Sequence, residues 1–250
     1  AADSEFATSD YGALFINGTF GWPEGIAANA PTPAYPMAAL GVRLEGKPLE
    51  NLTLHAAVFD GNPDSVDQIG HSLNPYGIRW RLSGDEGAFF IAELVYSPRP
   101  EQGRAMVWPL NKHQEMASAK QAVLSGRGRR STYKVGGWYH TGNFPDNRTD
   151  EQGRFLGSAL SSGKPQIRSG NWGLYIIADQ MLWREKPDAD EGLGLFGRLT
   201  YSPPDRSFYD FYADFGVTCT GLIAGRDDDS FGVAFAYGHI SQDRRDVQRA

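Results

Sequence analysis

The chain is short of several things, and each shortage closes a line of chemistry. One cysteine, Cys219, among 250 residues rules out an intramolecular disulfide and any cysteine-built zinc site. Nowhere do about 18 apolar residues run together, so no transmembrane helix is encoded. Lys and Arg never gather into a run, and 24 of them against 30 Asp and Glu leave a net charge of −6. That balance argues against a nucleic-acid partner. The five histidines (55, 71, 113, 140 and 239) lack a metal-ligand spacing such as HExxH, and no GxSxG, P-loop or dinucleotide fingerprint occurs. No metal or cofactor is expected. The first residues, AADSEFATSD, have neither a basic region nor an apolar core and do not read as a signal peptide.

What the chain has in quantity is glycine and aromatics: 30 Gly, 14 Phe, 11 Tyr and 6 Trp. That composition suits an all-β protein, and an alternation of period two follows the chain almost throughout. It is visible at 12–20 (GALFINGTF), 36–46, 51–59, 77–82 (GIRWRL), 87–96, 133–140, 173–183, 192–201, 207–218 and 230–238. In the stretch SFYDFYADFGVT, for example, Tyr209, Phe211, Ala213, Phe215 and Val217 share one face, with Asp210, Tyr212 and Asp214 on the other. About ten strands result, many of roughly 9 to 12 residues, long for a globular sheet and suited to a tilted span of a bilayer.

The polar faces carry charges at mid-strand: Arg43, Arg79, Arg81, Glu93, Lys134, Asp179, Arg198, Asp210 and Asp214. The dry faces often end in tyrosine, as at Tyr96, Tyr133, Tyr139, Tyr201, Tyr209 and Tyr237, the habit of an interfacial girdle. A membrane barrel would turn the charges toward a wet lumen. A soluble β-sandwich would put them on its outside, and the alternation alone does not separate the two. Connections are short at EGKPLEN, SGDEG, EKPDADEG and SPPDRS, and long at 21–35, 61–75, 99–130 and 143–171. Short turns on one rim and long loops on the other would fit a barrel. Residues 111–126 read as a helix ended by Gly126, a possible insertion. GRDDD (225–229) reads as a charged turn, since it lacks a full calcium loop. His140 stands near Ser131 and Asp146 in sequence, but nothing activates that serine, so an enzyme is not expected.

Longer stretches then point to a family. FINGTFGWPEG, AYPMAALGVRL, AAVFDGNP, AELVYS, YKVGGWYHTGNFPD, GLYIIADQMLWRE, GLGLFGRLTYSPPDRS and TGLIAGRDDDSFGVAFAYGHIS together resemble the carbohydrate-selective porin (OprB-type) family. They keep its order along nearly the whole chain. The resemblance implies an antiparallel transmembrane β-barrel of about sixteen strands in the Gram-negative outer membrane, bounded by lipid and lipopolysaccharide. It would pass glucose and other mono- and oligosaccharides by facilitated diffusion, as a monomer or a homotrimer. Residues 1–250 are expected to be a central portion of that single barrel domain, incomplete at both ends.

A sugar offers hydroxyls at its rim and C–H groups on its faces, so its path needs exchangeable donors, acceptors and aromatic platforms. Arg supplies a permanently charged donor fork. The expected lumen-lining set is Arg43, Glu45, Arg79, Arg81, Glu93, Lys134, Asp179, Arg198, Asp210 and Asp214, with Trp138, Phe196 and Tyr212 as stacking faces. An ion pair of Arg198 with Asp214 that only stiffens the wall is the competing expectation. The alternative function is a soluble, lectin-like β-sandwich, with the apolar stripes buried in a core.

Overall fold

The structure, a computed structural model, describes residues 2–34, 37, 39–63, 76, 86–98, 131–184, 191–223 and 225–250. Its body is one antiparallel sheet in which each strand pairs with its chain neighbours. The strands are β1 (Gly41–Leu49), β2 (Leu52–Asp60), β3 (Ala88–Tyr96), β4 (Thr132–Asp150), β5 (Pro165–Arg184), β6 (Gly192–Tyr201), β7 (Tyr209–Thr220) and β8 (Ser230–Ile240). Neighbour-to-neighbour pairing is the simplest meander, and among the described residues it leaves β1 and β8 as the two edges.

Register carries the alternation from strand to strand, so like residues form rows across the sheet. Leu54, Leu94, Val135, Ile176 and Leu199 make one outer row. Phe90, Tyr139 and Trp172 make another, with Trp172 6.0 Å from Tyr201. Every one of these residues is at least 37% exposed, and Phe215, Val217, Phe231, Val233 and Phe235 extend the exposed surface over β7 and β8. A contiguous apolar face on that scale is not left to water by a soluble domain. Near the opposite rim Tyr96 stacks on Tyr133, and Tyr133 donates to Gln180. No described helix is long and apolar enough to cross a membrane.

The inner face is covered instead by the chain's own beginning. Residues 2–34 run as short 3-10 turns (Ala2–Ser4, Gly12–Leu14 and Gly18–Phe20) and one turn of helix, α1 (Glu24–Ala27). Phe6, Trp22 and Ile26 of this segment pack with Phe89, Ile91, Trp138, Tyr175 and Ile177 of the sheet. A second cluster joins Tyr11 and Phe20 to Phe196, with Phe15, Ala234 and Ala236 against it.

Several expectations change. The alternating stretch 12–20 is not a strand: it lies inside, off the ladder, with Phe20 buried and Phe15 half-buried against the sheet rather than against a neighbouring strand. The strand expected from residue 36 starts at Gly41. The long connection expected at 143–171 shrinks to 151–164, because β4 and β5 continue as a paired ribbon in which Asn143 opposes Ser169 and Asp150 opposes Pro165. Short and long connections do not segregate: β1–β2 and β6–β7 are both short yet lie on opposite rims. Eight strands rather than ten stand among the described residues. The strand at 77–82, including Arg79 and Arg81, and the helix at 111–126 fall outside them. After β8 the chain turns into α2 (Gln242–Arg249).

Candidate functional site

Eleven expected lumen residues are described, and strand parity puts all eleven on the inner face, opposite the apolar rows. What most of them meet there is the N-terminal segment. From residue 5 onward it steps across the sheet at close to one strand per residue. Glu5 pairs with Arg43 of β1 at 3.0 Å. Phe6 meets His55 of β2 edge-on at 6.2 Å. The Ala7 amide donates to Glu93 Oε2 of β3 at 2.8 Å. Lys134 Nζ of β4 donates to the carbonyl and hydroxyl of Thr8 at 2.9 and 3.0 Å. Ser9 Oγ and the Asp10 amide both donate to Asp179 of β5, at 2.5 and 2.8 Å.

Tyr11 then lies on β6 where Gly194 has no side chain. A Cβ there would come within 2.0 Å of the tyrosine ring. Strands are spaced about 4.8 Å apart, whereas an extended chain advances only about 3.3–3.6 Å per residue. One residue per strand is therefore possible only along the inside of a curve. The contact pattern itself records that the sheet is concave toward the segment.

Past Tyr11 the segment turns along the β6–β8 wall. Arg198 and Asp214 are direct cross-strand partners, and both side chains are fully buried. The guanidinium donates from Nε to Asp214 Oδ1 at 2.8 Å and from a terminal nitrogen to Oδ2 at 2.5 Å. Its remaining donors reach the carbonyls of Gly21 and Thr19 at 3.1 and 3.0 Å, and Tyr212 donates to Asp214 Oδ2 at 2.9 Å. A buried charge pair is tolerable only when its leftover donors and acceptors are satisfied, and here the segment's backbone satisfies them. The segment ends in a knot at Asn29. Its amide nitrogen donates to the carbonyls of Gly25 and Tyr209, while its side-chain oxygen accepts from the amides of Phe208 and Tyr209. Asn171 donates to the Asn29 carbonyl at 2.9 Å.

The sequence-derived set therefore divides. Glu93, Lys134, Asp179, Arg198 and Asp214 bind the segment or complete its seat, and the rings of Trp138, Phe196 and Tyr212 lie beneath it, at 4% exposure or less. Arg43 and Glu45 stay accessible, Arg43 bridging Glu5 and Glu45 at 3.0 and 2.8 Å. Asp210 is taken by His239 Nδ1 at 2.5 Å and by the Gln242 amide opening α2. His140 accepts from the Gly142 amide at Nδ1 and contacts the Gly61 carbonyl through Nε2. Asp146, its neighbour in sequence, is held by Arg168 and the amides of Arg148 and Thr149. The charged turn before β8 is closed by Arg226 and Asp229 at 2.5 Å.

Sequence reasoning missed the segment itself. The signal was present in β6 and β8, whose inner positions include Gly194, Gly232, Ala234 and Ala236 while their outer positions are bulky. An inward face so poor in volume needs filling from elsewhere.

Comparison with known proteins agrees with this wall. Porin B of Pseudomonas aeruginosa is 27% identical over 194 residues, covering 75% of this chain and 37% of that protein. The high-pH structure of Pseudomonas putida OprB superposes with a TM-score of 0.65 at 20% identity, over 86% of this chain and 43% of that one. The chain thus spans less than half the length of either, and its sheet is a part of the same β-barrel wall. The family model for the carbohydrate-selective porin, OprB family, matches residues 1–250, and the chain belongs to that family.

Proposed function

We propose that this chain forms part of an outer-membrane porin that lets glucose and other carbohydrates diffuse across, with no catalytic step. The observation that carries the reading is the division of the sheet's two faces. Apolar rows look outward with no protein over them among the described residues, and every described charged candidate looks inward. Lipid is the solvent that makes such an outer face favourable, at about 25 cal/mol per Å² of apolar surface removed from water. The lectin-like alternative would need those rows packed into a core.

Within this reading the wall residues do different work. Arg198, Asp214, Asp179 and Glu93 hold the N-terminal segment in the lumen, and the segment narrows the space left for solute. Arg43, Glu45 and Glu5, charged and accessible at the β1 end, offer a donor fork between two carboxylates, a match to the hydroxyl pairs of a sugar. Arg79 and Arg81 remain candidates for the same path.

Liposome swelling with the full-length protein tests this. Glucose should enter faster than a neutral amino acid of similar size, and the joint replacement Arg43→Ala with Glu45→Ala should shrink that preference while the folded barrel keeps its heat-modifiable gel mobility. Equal entry of the two solutes into the wild-type vesicles would refute the sugar path. An unchanged preference in the variant would remove Arg43 and Glu45 from it.

A further inference from the structure

One histidine stands where the segment's first two anchors meet, and the sequence reading gave it no role. His55 projects inward from the middle of β2. Its Nε2 lies 3.7 Å from Glu45 Oε2 of β1, and its Nδ1 lies 3.9 Å from Glu93 Oε1 of β3. Both distances are too long for a hydrogen bond. His55 Nδ1 and Glu93 Oε1 are each buried and without a hydrogen-bond partner among the described residues. Unpaired buried polar atoms are expensive, and here two of opposite need face each other across a gap about 1 Å longer than a charge-assisted bond.

The other oxygen of Glu93 is fully engaged, accepting from the Ala7 amide at 2.8 Å and from Tyr175 Oη at 3.0 Å. Glu45 holds Arg43, which holds Glu5. Of the carboxylates on either side of His55, Glu93 ties residue 7 of the luminal segment to the wall directly, and Glu45 braces the Arg43 that holds residue 5. The charged groups around the ring are complete on every side. Arg43, Glu45 and Lys47 come from β1, Glu93 from β3 and Lys134 from β4. Glu5 comes from the segment, which also lays the Phe6 ring against the imidazole.

We propose that His55 is a positioning residue that reads pH, its protonation locking the luminal segment to β1–β3. This rests on the porin reading for its consequence, though not for its chemistry. A neutral imidazole supplies one N–H for two carboxylates. The imidazolium supplies two, one toward Glu45 and one toward Glu93, and adds a cation between their charges. Closing both gaps joins β1, β2 and β3 into a single ladder and fixes the Ala7 anchor. The lock is present below the histidine's pKa and released above it. At high pH the first residues of the segment loosen and the lumen widens at that end.

The test is single-channel salt conductance of the full-length protein in planar bilayers between pH 8 and pH 5, with glucose uptake into liposomes measured in parallel. Wild-type conductance should fall several-fold, in a single step. His55→Gln should stay at the high-pH level throughout, and His55→Lys, carrying a fixed charge, at the low-pH level. A pH step that survives unchanged in His55→Gln overturns the proposal. If that variant fails to fold, a His55→Lys channel that still steps with pH overturns it equally. Loss of the step in salt conductance without any glucose preference would uphold the histidine and fail the sugar reading, so the two are told apart.

Discussion

The luminal segment is held at two ends by opposite means. At β6–β7 the attachment is closed: Arg198 and Asp214 are completely buried, and the guanidinium's donors reach either the carboxylate or the segment's carbonyls. At β1–β3 the attachment is open. The Glu5–Arg43 pair is about a third exposed, and two buried atoms face each other unpaired. A closed seat gives its full contribution whatever the solution does. An open seat stays responsive to pH and salt, because solvent screens its pairs and one of its members titrates. The same strap is thus a fixture at one end and adjustable at the other.

Breaking the closed end should have the largest effect. Removing one partner, as in Arg198→Met, strands Asp214 and costs about 3–5 kcal/mol, read as a fall in the temperature of the heat-modifiable gel shift. The double change Arg198→Met with Asp214→Leu should recover much of that loss, since no orphan charge remains. A steric wedge comes next. A Cβ at Gly25 would sit 1.9 Å from Thr200 Oγ1 and 2.9 Å from Tyr212 Cβ, so Gly25→Val should cost about 1–3 kcal/mol of overpacking. Lifting α1 off the wall should raise salt conductance while the strands stay paired.

A smaller effect belongs to the β4–β5 ribbon beyond the Tyr139–Trp172 pair, where the outer positions turn mostly polar. Asp150 accepts from the amides of Gln152, Arg154 and Ser162 and from the Arg154 guanidinium. Burial pushes its carboxyl up, but these bonds outweigh burial and hold it well below the ordinary carboxylate range. A lowered folded-state pKa contributes stability above the unfolded value and withdraws it as pH falls toward the folded one. The gap in unfolding midpoint between wild type and Asp150→Asn should therefore be widest near pH 7 and close below about pH 4. The least effect is expected at the open end. Arg43→Ala should change stability by only about 0.2–1 kcal/mol, an effect that added salt should erase.

How much of this could be read from the sequence follows from what each pattern reports. Alternation reports which side chains share a face, so the charged set and the apolar rows separate at once in the sequence, but it does not report which of the two looks inward. It does not report what lies against a face. GALFINGTF alternates as well as any strand, yet its Phe15 and Phe20 find their dry partner in Phe196 rather than in a paired neighbour. For the same reason Asp179 and Glu93 read as wet lumen residues, when in the fold they accept from Ser9, Asp10 and Ala7 of the segment. Those bonds join residues separated in sequence by 170, 169 and 86 positions, far beyond any local pattern. His55 was passed over because a lone histidine on a strand has no motif. Only the placement of Glu45 and Glu93 on either side gives it meaning.

The stepping of the segment across the sheet also sets a rule of phase. Between Glu5 and Tyr11 the chain behaves as a vernier, meeting β1 to β6 in turn, with Ser9 and Asp10 sharing β5. One residue inserted after Phe6 would shift every later mark by a full division. Ser9 would arrive opposite Asp179 only by skipping a notch, and Lys134 would meet the wrong carbonyl. The length of this stretch is therefore as constrained as its composition, and sequence changes there should be tolerated as substitutions far better than as indels.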